Sequence, residues 1–149
     1  MAYNDAVPRF VDDYLSYLLS AASERVSREF HRQLRPYGLS VHKWRVLATL
    51  SDGDALSVGD LASIVLMQQP TLTKLVARMA KEGLLSLRND PSDRRWTLVR
   101  IAAPGQRKVA PLLARAKTHE RACLASYSAA EVAKVKRILK DLLRRSETR

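Results

Sequence analysis

Between Ser57 and Gly83 the chain carries two short stretches of helical periodicity with only four residues, Leu66-Met67-Gln68-Gln69, between them. That spacing turns one helix sharply against the next. Ser57, with Asp60 three positions on, has the form of a capping box ahead of Leu61, Ala62, Ile64 and Val65. Pro70 suits the first turn of the second helix, where the missing N–H has no intrahelical acceptor to lose. Leu72, Leu75, Val76 and Met79 then repeat at the spacing of one buried helical face, and Gly83 ends it. The other face shows Thr73, Lys74, Arg78 and Lys81, with Gln68, Gln69 and Thr71 at its leading end.

After Gly83 the period shortens. Residues 84–88 and 96–101 read as two strands of a hairpin around the turn-forming run Asn89-Asp90-Pro91-Ser92-Asp93-Arg94-Arg95. Upstream, apolar residues from Val11 through Leu34 recur at three- and four-residue spacing and predict one amphipathic helix from Pro8 to Arg35, roughly 28 residues long. Pro36-Tyr37-Gly38 stops it, and Ser40 caps a second helix that turns Trp44, Val46, Leu47 and Leu50 inward. Downstream, Pro104-Gly105 opens a fifth helix through about Ser126. Ser128 and Glu131 form a second capping box, ahead of a sixth helix with Val132, Val135, Ile138, Leu139 and Leu142 inward. The expected fold class is mainly α with a small β-hairpin wing. No repeat and no low-complexity linker divides the chain.

Charge adds a partner class. The 149 residues hold 26 Lys+Arg against 15 Asp+Glu, a formal charge of +11. The excess sits in the second half, +4 over residues 68–100 and +8 over 104–149. Charge alone describes a solvated surface as well as it describes a polyanion site. Placement favours the polyanion. Gln and Arg can reach base edges from a helix in the major groove, while Lys and Thr suit phosphates. A wing arginine can enter the narrow, electronegative minor groove. Asp93, two residues before Arg95, can hold that guanidinium by a bidentate pair. The candidate DNA-binding residues are therefore Gln68, Gln69, Thr71, Thr73, Lys74, Arg78, Arg88, Asp93, Arg94 and Arg95.

Several classes drop out. No apolar run approaches the roughly 18–20 residues of a membrane span. The N-terminus lacks the basic and apolar regions of a secretory signal. One cysteine, Cys123, suits a reducing cytoplasm and reads as a small buried hydrophobe. Three scattered histidines offer no metal-ligand spacing. No nucleophile motif, phosphate-binding glycine loop or apolar carboxylate pair appears, so no catalytic residue, metal or cofactor is expected.

Gly38-Leu39-Ser40 with residues 44–50, Leu56 to Ala62, and Thr71 to Val76 with Lys81-Glu82-Gly83-Leu84 together resemble the MarR (multiple antibiotic resistance regulator) family. Asp90-Pro91-Ser92-Asp93-Arg94-Arg95, trailed by Ala103-Pro104-Gly105, matches that family's most specific motif, the wing. The resemblance covers the chain as one domain, 1–149. It implies a winged helix-turn-helix reading head at 40–101 and dimerisation helices at 8–36 and 104–145. It further implies an obligate homodimer on a pseudo-palindromic DNA operator, released by a small ligand, with repression as the default. The family often has Thr-x-x-Gly after the second wing strand; here Ala103 stands for the Thr, which removes a helix cap.

The resemblance also places an effector pocket where the dimer helices meet the head. Tyr14, Tyr17, His42, Trp44 and Arg45 fall in that region, and they suit an aromatic carboxylate that stacks on the rings and pairs with Arg45 or His42. A CoA thioester of such an acid would also meet the basic fifth and sixth helices. Trp44 and Tyr17 as plain core residues are the competing reading. At the level of function, the competitor is an architectural DNA-binding protein with no effector.

Overall fold

The computed structural model describes residues 7–146; residues 1–6 and 147–149 of the expected 1–149 domain, including the segment inspected for a signal, lie outside them. The elements run α1 (Leu15–Arg32), α2 (Val41–Thr49), β1 (Leu56–Ser57), α3 (Val58–Val65), α4 (Gln69–Lys81), β2 (Leu85–Asn89), β3 (Thr97–Ile101), α5 (Ala103–Cys123) and α6 (Ala129–Ser146). The chain divides into two compact units, Met1–Leu113 and Ala114–Arg149.

In the first unit, α2, α3 and α4 pack on a three-stranded antiparallel sheet of order β1-β3-β2. The sheet expected from the sequence had two strands. The third, β1, pairs Leu56 with Val99 and Ser57 with Leu98, and two residues are too few to show a period. Ser57 ends this strand and caps α3 as well: its Oγ accepts from Asp60 N at 3.1 Å and donates to Asp60 Oδ2 at 2.8 Å. The box thus closes between side chains, whereas the usual form returns the acid to the cap's own backbone N–H. Ser40 caps α2 through Lys43 N at 3.2 Å.

Val46, Leu47, Leu50, Leu61, Val65, Leu72, Val76, Met79, Val99, Val109 and Leu112 form the fully buried centre. Each contributes about 1.5–3 kcal/mol of burial. Leu72, Leu75, Val76 and Met79 are all buried as the spacing predicts. Ile64 points outward and is exposed, against expectation, because the inward face of α3 is already filled by Val58, Leu61, Ala62 and Val65. The α3–α4 turn is made by Leu66 at φ 59°, ψ 46°, a left-handed conformation on a bulky side chain.

The single 28-residue helix does not form. A 3-10 turn at Phe10–Asp13 is closed by Arg9 N donating to Asp12 Oδ2 at 2.8 Å, and Tyr14 is extended at φ −90°, ψ 114°. Short acids compete for backbone N–H groups in this way and favour helix starts over interiors. Val11, Tyr14 and Leu15 keep helical spacing across the break, so periodicity conceals it. At the other end α1 stops at Arg32, and a 3-10 turn, Arg35–Tyr37, with Pro36 in its first positions, leads to left-handed Gly38.

The strands begin one residue later than expected, at Leu85 and Thr97, and α5 ends at Cys123, short of Ser126. Helical backbone opens at Ala103, so the residue at the cap position is Ala102, one earlier than inferred from the family pattern. Ala102 N donates to Leu84 O at 2.9 Å, and a Cβ on Gly105 would run into that same carbonyl.

In the second unit, Ser128 and Glu131 cap α6 reciprocally, at 3.2 and 2.8 Å, as expected. Lys136 Nζ meets Glu120 Oε2 at 2.9 Å. No α6 side chain among the described residues is buried, and Val132, Val135, Ile138, Leu139 and Leu142 therefore face no core within the single chain. Cys123 is half-buried, and its Sγ lies 3.6 Å from His119 Nε2, so it has a polar neighbour one helical turn back.

Candidate nucleic-acid interface

With Leu72, Leu75, Val76 and Met79 facing the core, a 100° step per residue puts Pro70, Lys74, Ala77 and Lys81 on the outer midline of α4. Thr71 and Arg78 flank that line on one side and Thr73 on the other. All seven are exposed. Ala77, which carries no polar signal, is the small residue that lets this face come close to another surface. The hydroxyl of Thr73 is occupied by a 2.8 Å bond to Gln69 O, which leaves its methyl as the distinctive group. Gln68 occupies the cap position without a side-chain cap bond and is exposed. Gln69 Oε1 lies 3.6 Å from the place of a Gly59 Cβ, so this side chain leans towards the start of α3. Lys43 Nζ clamps Glu82 Oε2 at 2.7 Å and ties α2 to the C-terminal cap of α4.

At the wing tip, Arg95 Nη2 donates to Asp93 Oδ2 at 2.7 Å and Nε donates to Oδ1 at 3.0 Å. Arg95 N also donates to Asp93 Oδ1 at 3.1 Å. The Arg95 side chain is nevertheless 87% exposed. It is an oriented cation whose outer edge is open to solvent. The Arg95 guanidinium, then the Arg95 backbone N–H, then a Trp96 hydrogen bond, hold the Asp93 carboxyl below its ordinary range against a small opposing effect of desolvation. Arg95 is correspondingly shifted up. Asp90 accepts from Ser92 N at 2.8 Å and Ser92 Oγ at 2.6 Å, which lowers its pKa, and Asp90 N donates to Trp96 O at 2.8 Å. Trp96, missed in the sequence, therefore braces the base of the wing by backbone and side chain. Its strand-like, apolar setting gave no hint of that role. Arg94 is exposed beside Arg95. Arg88 stands away from the tip, on the outer face of β2, across from Leu98.

The five expected effector residues do not converge within one chain. Trp44 is half-buried against Phe30, ring centroids 5.0 Å apart, at the C-terminal end of α1. Arg45 faces His31 there, and His31 is shifted down, first by burial and then by Arg45. His42 is exposed on the first turn of α2. Tyr14 and Tyr17 lie at the other end of α1, and the 13 residues from Tyr17 to Phe30 span about 20 Å. Tyr17 instead borders a concavity of about 370 Å³ with Ser20, Glu24, Arg25 and Arg28. Among the described residues no His/Cys/Asp/Glu cluster has the form of a metal site, and no helix is long and apolar enough to cross a membrane.

The sequence profile of the MarR family matches residues 37–95, the stretch that spans α2 to the wing tip. The solved structure of a MarR-family transcriptional regulator from Silicibacter pomeroyi DSS-3 is 38% identical, with a TM-score of 0.79, and the match covers 91% of this chain and 99% of that one. The HTH-type transcriptional repressor IacR of Pseudomonas putida is 26% identical over 137 residues, 92% of this chain and 82% of the relative. CouR from Rhodococcus jostii RHA1, solved bound to p-coumaroyl-CoA, shares the fold at 22% identity with a TM-score of 0.78, over 91% of this chain and 95% of that one. A capped α3, a turn, an outward basic α4, a short three-stranded sheet and a wing that presents a braced arginine occur here in one order. This chain belongs to the MarR family of winged helix-turn-helix transcriptional regulators.

Proposed function

We propose that the chain is a homodimeric, DNA-binding repressor that an aromatic carboxylate, free or as its CoA thioester, releases from a pseudo-palindromic operator. The observation that carries the DNA-binding part is the exposed Arg95 guanidinium, held by Asp93 at the tip of the wing, on a chain whose α4 presents a basic outer face. In this reading α4 enters the major groove. Gln68, Gln69, Thr71 and Thr73 read base edges, Lys74 and Arg78 take phosphates, and Arg94 and Arg95 follow the minor groove. Residues 40–101 form the reading head, while 8–36 and 104–145 join two copies. Repression is supported by the name of the Pseudomonas putida relative.

The effector part rests on the Phe30–Trp44 ring pair beside Arg45, an aromatic platform with a cation at its edge, and on the ligand named for the Rhodococcus structure. Tyr14 and Tyr17 enter that site only as residues of the second copy. The test selects a binding site from random duplex DNA and measures affinity with and without benzoates, hydroxycinnamates and their CoA thioesters. A palindromic consensus whose complex is loosened by a member of the panel is expected. Binding with no sequence preference makes the chain an architectural protein and removes the proposal.

A further inference from the structure

The outer face of the wing sheet brings Arg88, a DNA-contact candidate by sequence, together with Arg100. Beyond the tip, β2 and β3 pair Ser86 with Arg100 and Arg88 with Leu98, so both arginines stand on the solvent side of the ladder as diagonal neighbours. Diagonal Cβ atoms lie roughly 7–8 Å apart, within joint reach of two long side chains. The β1–β3 register, continued by one residue, sets Ala55 beside Arg100. Arg100 therefore has a small residue on each side, Ala55 and Ser86, which leaves its stem uncovered. The result is a concavity of about 850 Å³ bordered by Ala55, Ser86, Arg88, Leu98 and Arg100, with Asn89 and Pro91 at its tip end. Among the described residues no carboxylate pairs with either guanidinium. The two acids of the wing are engaged elsewhere, Asp90 with Ser92 and Asp93 with Arg95.

Two like charges set diagonally on a sheet face repel, and an anion between them removes that cost. The donor supply is large: two planar guanidinium forks, a serine hydroxyl and an asparagine amide. That is more than one carboxylate can use, and it suits the three terminal oxygens of a phosphate monoester. Ala55 and Leu98 supply an apolar floor beside the charges. A DNA backbone is convex and has no use for such a floor, whereas a small molecule with a flat body does.

We propose that this face is a binding site for a small phosphate monoester with a flat apolar body. Arg88 and Arg100 clamp the phosphate, and Ala55 and Leu98 seat the body. The site borders the wing tip at Pro91 and shares no residue with the Phe30–Trp44 platform.

Calorimetric titration of the full chain with 1-naphthyl phosphate, 1-naphthol and inorganic phosphate tests it. The ester is expected to bind, inorganic phosphate to bind at least about ten-fold more weakly, and 1-naphthol to give no heat of binding. R88Q/R100Q is expected to weaken the ester at least about ten-fold while its melting temperature stays put, and R107Q, a charge control on α5, to leave it unchanged. Should the double variant fold poorly, R100K keeps the charge, loses the fork and is expected to bind the ester several-fold more weakly. Ester binding that survives R88Q/R100Q, inorganic phosphate that binds as tightly as the ester, or no binding by any probe overturns the proposal. So does a double variant that loses duplex-DNA affinity but keeps the ester, because the arginines are then a DNA contact.

Discussion

At the residue scale, Arg95 is the side chain with the most at stake, because its partner and its exposure pull in opposite directions. Asp93 neutralises part of its charge, yet holds it in one orientation, and in a narrow groove orientation decides whether the guanidinium enters at all. Arg95→Ala is expected to cost about 1–3 kcal/mol of operator affinity with the fold intact. Asp93→Ala is expected to weaken binding too, although it removes a negative charge from a DNA-facing surface. Tighter binding by Asp93→Ala, measured by operator titration at fixed salt, would mean that the acid merely repels. Because Asp93 is shifted down, the pair is complete above the ordinary carboxylate range and is lost as pH falls through the depressed value. Operator affinity should therefore carry no pH dependence from this pair between about pH 6 and 8. Leu66 makes a second case. Its left-handed backbone costs about 1–2 kcal/mol for a residue with a side chain. Glycine removes that cost and gives back part of it as unfolded-chain entropy. Leu66→Gly should thus gain about 0.5–1 kcal/mol in a denaturant titration. A loss instead would show that the exposed side chain holds the helix-turn-helix angle.

At the scale of elements, the join between hairpin and α5 is the tightest contact in the head. Gly105 lies against Leu84 O, and a Cβ there would also stand 2.9 Å from Ile101 Cγ1. Backbone cannot yield as a side chain can, so Gly105→Ala should destabilise the head by about 1–3 kcal/mol. Thermal melting of the variant checks this, and an unchanged midpoint would mean that α5 slides freely on the hairpin. That contact also shows what a sequence can and cannot display. Gly105 reads as a helix-start glycine, and its close packing against Leu84, just before β2 and 21 residues earlier, leaves no trace in composition or period. The α4 face was legible because four apolar residues at helical spacing have one inward solution, and the Asp93–Arg95 pair because two residues of spacing leave one partner. The 3-10 break at Tyr14 was not, since the apolar stripe runs through it unbroken. Nor was the gathering of Arg88 and Arg100, which depends on register between strands rather than on either strand alone. That the five effector candidates do not meet within one chain was hidden for a related reason. Family placement sets neighbouring elements side by side, but Tyr17 and Trp44 sit at opposite ends of α1.

At the scale of the molecule, α1 and α6 carry apolar stripes that the single chain leaves in water: Leu15 is 56% exposed, Val26 47% and Val135 56%. Exposed apolar stripes of this kind fit the proposed dimer, because a twofold arrangement can cover the same stripe on both copies at once. Sedimentation at micromolar concentration is expected to show a dimer, and the melting temperature to rise with protein concentration, as linkage requires when folding and association are coupled. A folded monomer with a concentration-independent midpoint would remove the dimer. In the proposed dimer, two heads would engage half-sites about one helical turn apart, and a ligand would act by favouring a spacing that DNA does not accept. It can do so only through a difference in its own affinity for the two states. A ten-fold loss of operator affinity corresponds to about 1.4 kcal/mol of coupling, and the same ligand must then bind the free dimer ten-fold more tightly than the complex. Titrating the active panel member into free and operator-bound protein, with Trp44 fluorescence as readout, measures both arms of that cycle. Equal affinities alongside a loosened operator would break the cycle and mean that the loosening does not come from ligand bound to the protein. Unequal affinities that match the operator shift close the cycle, as release of the proposed dimer by a ligand at the Phe30–Trp44 platform requires.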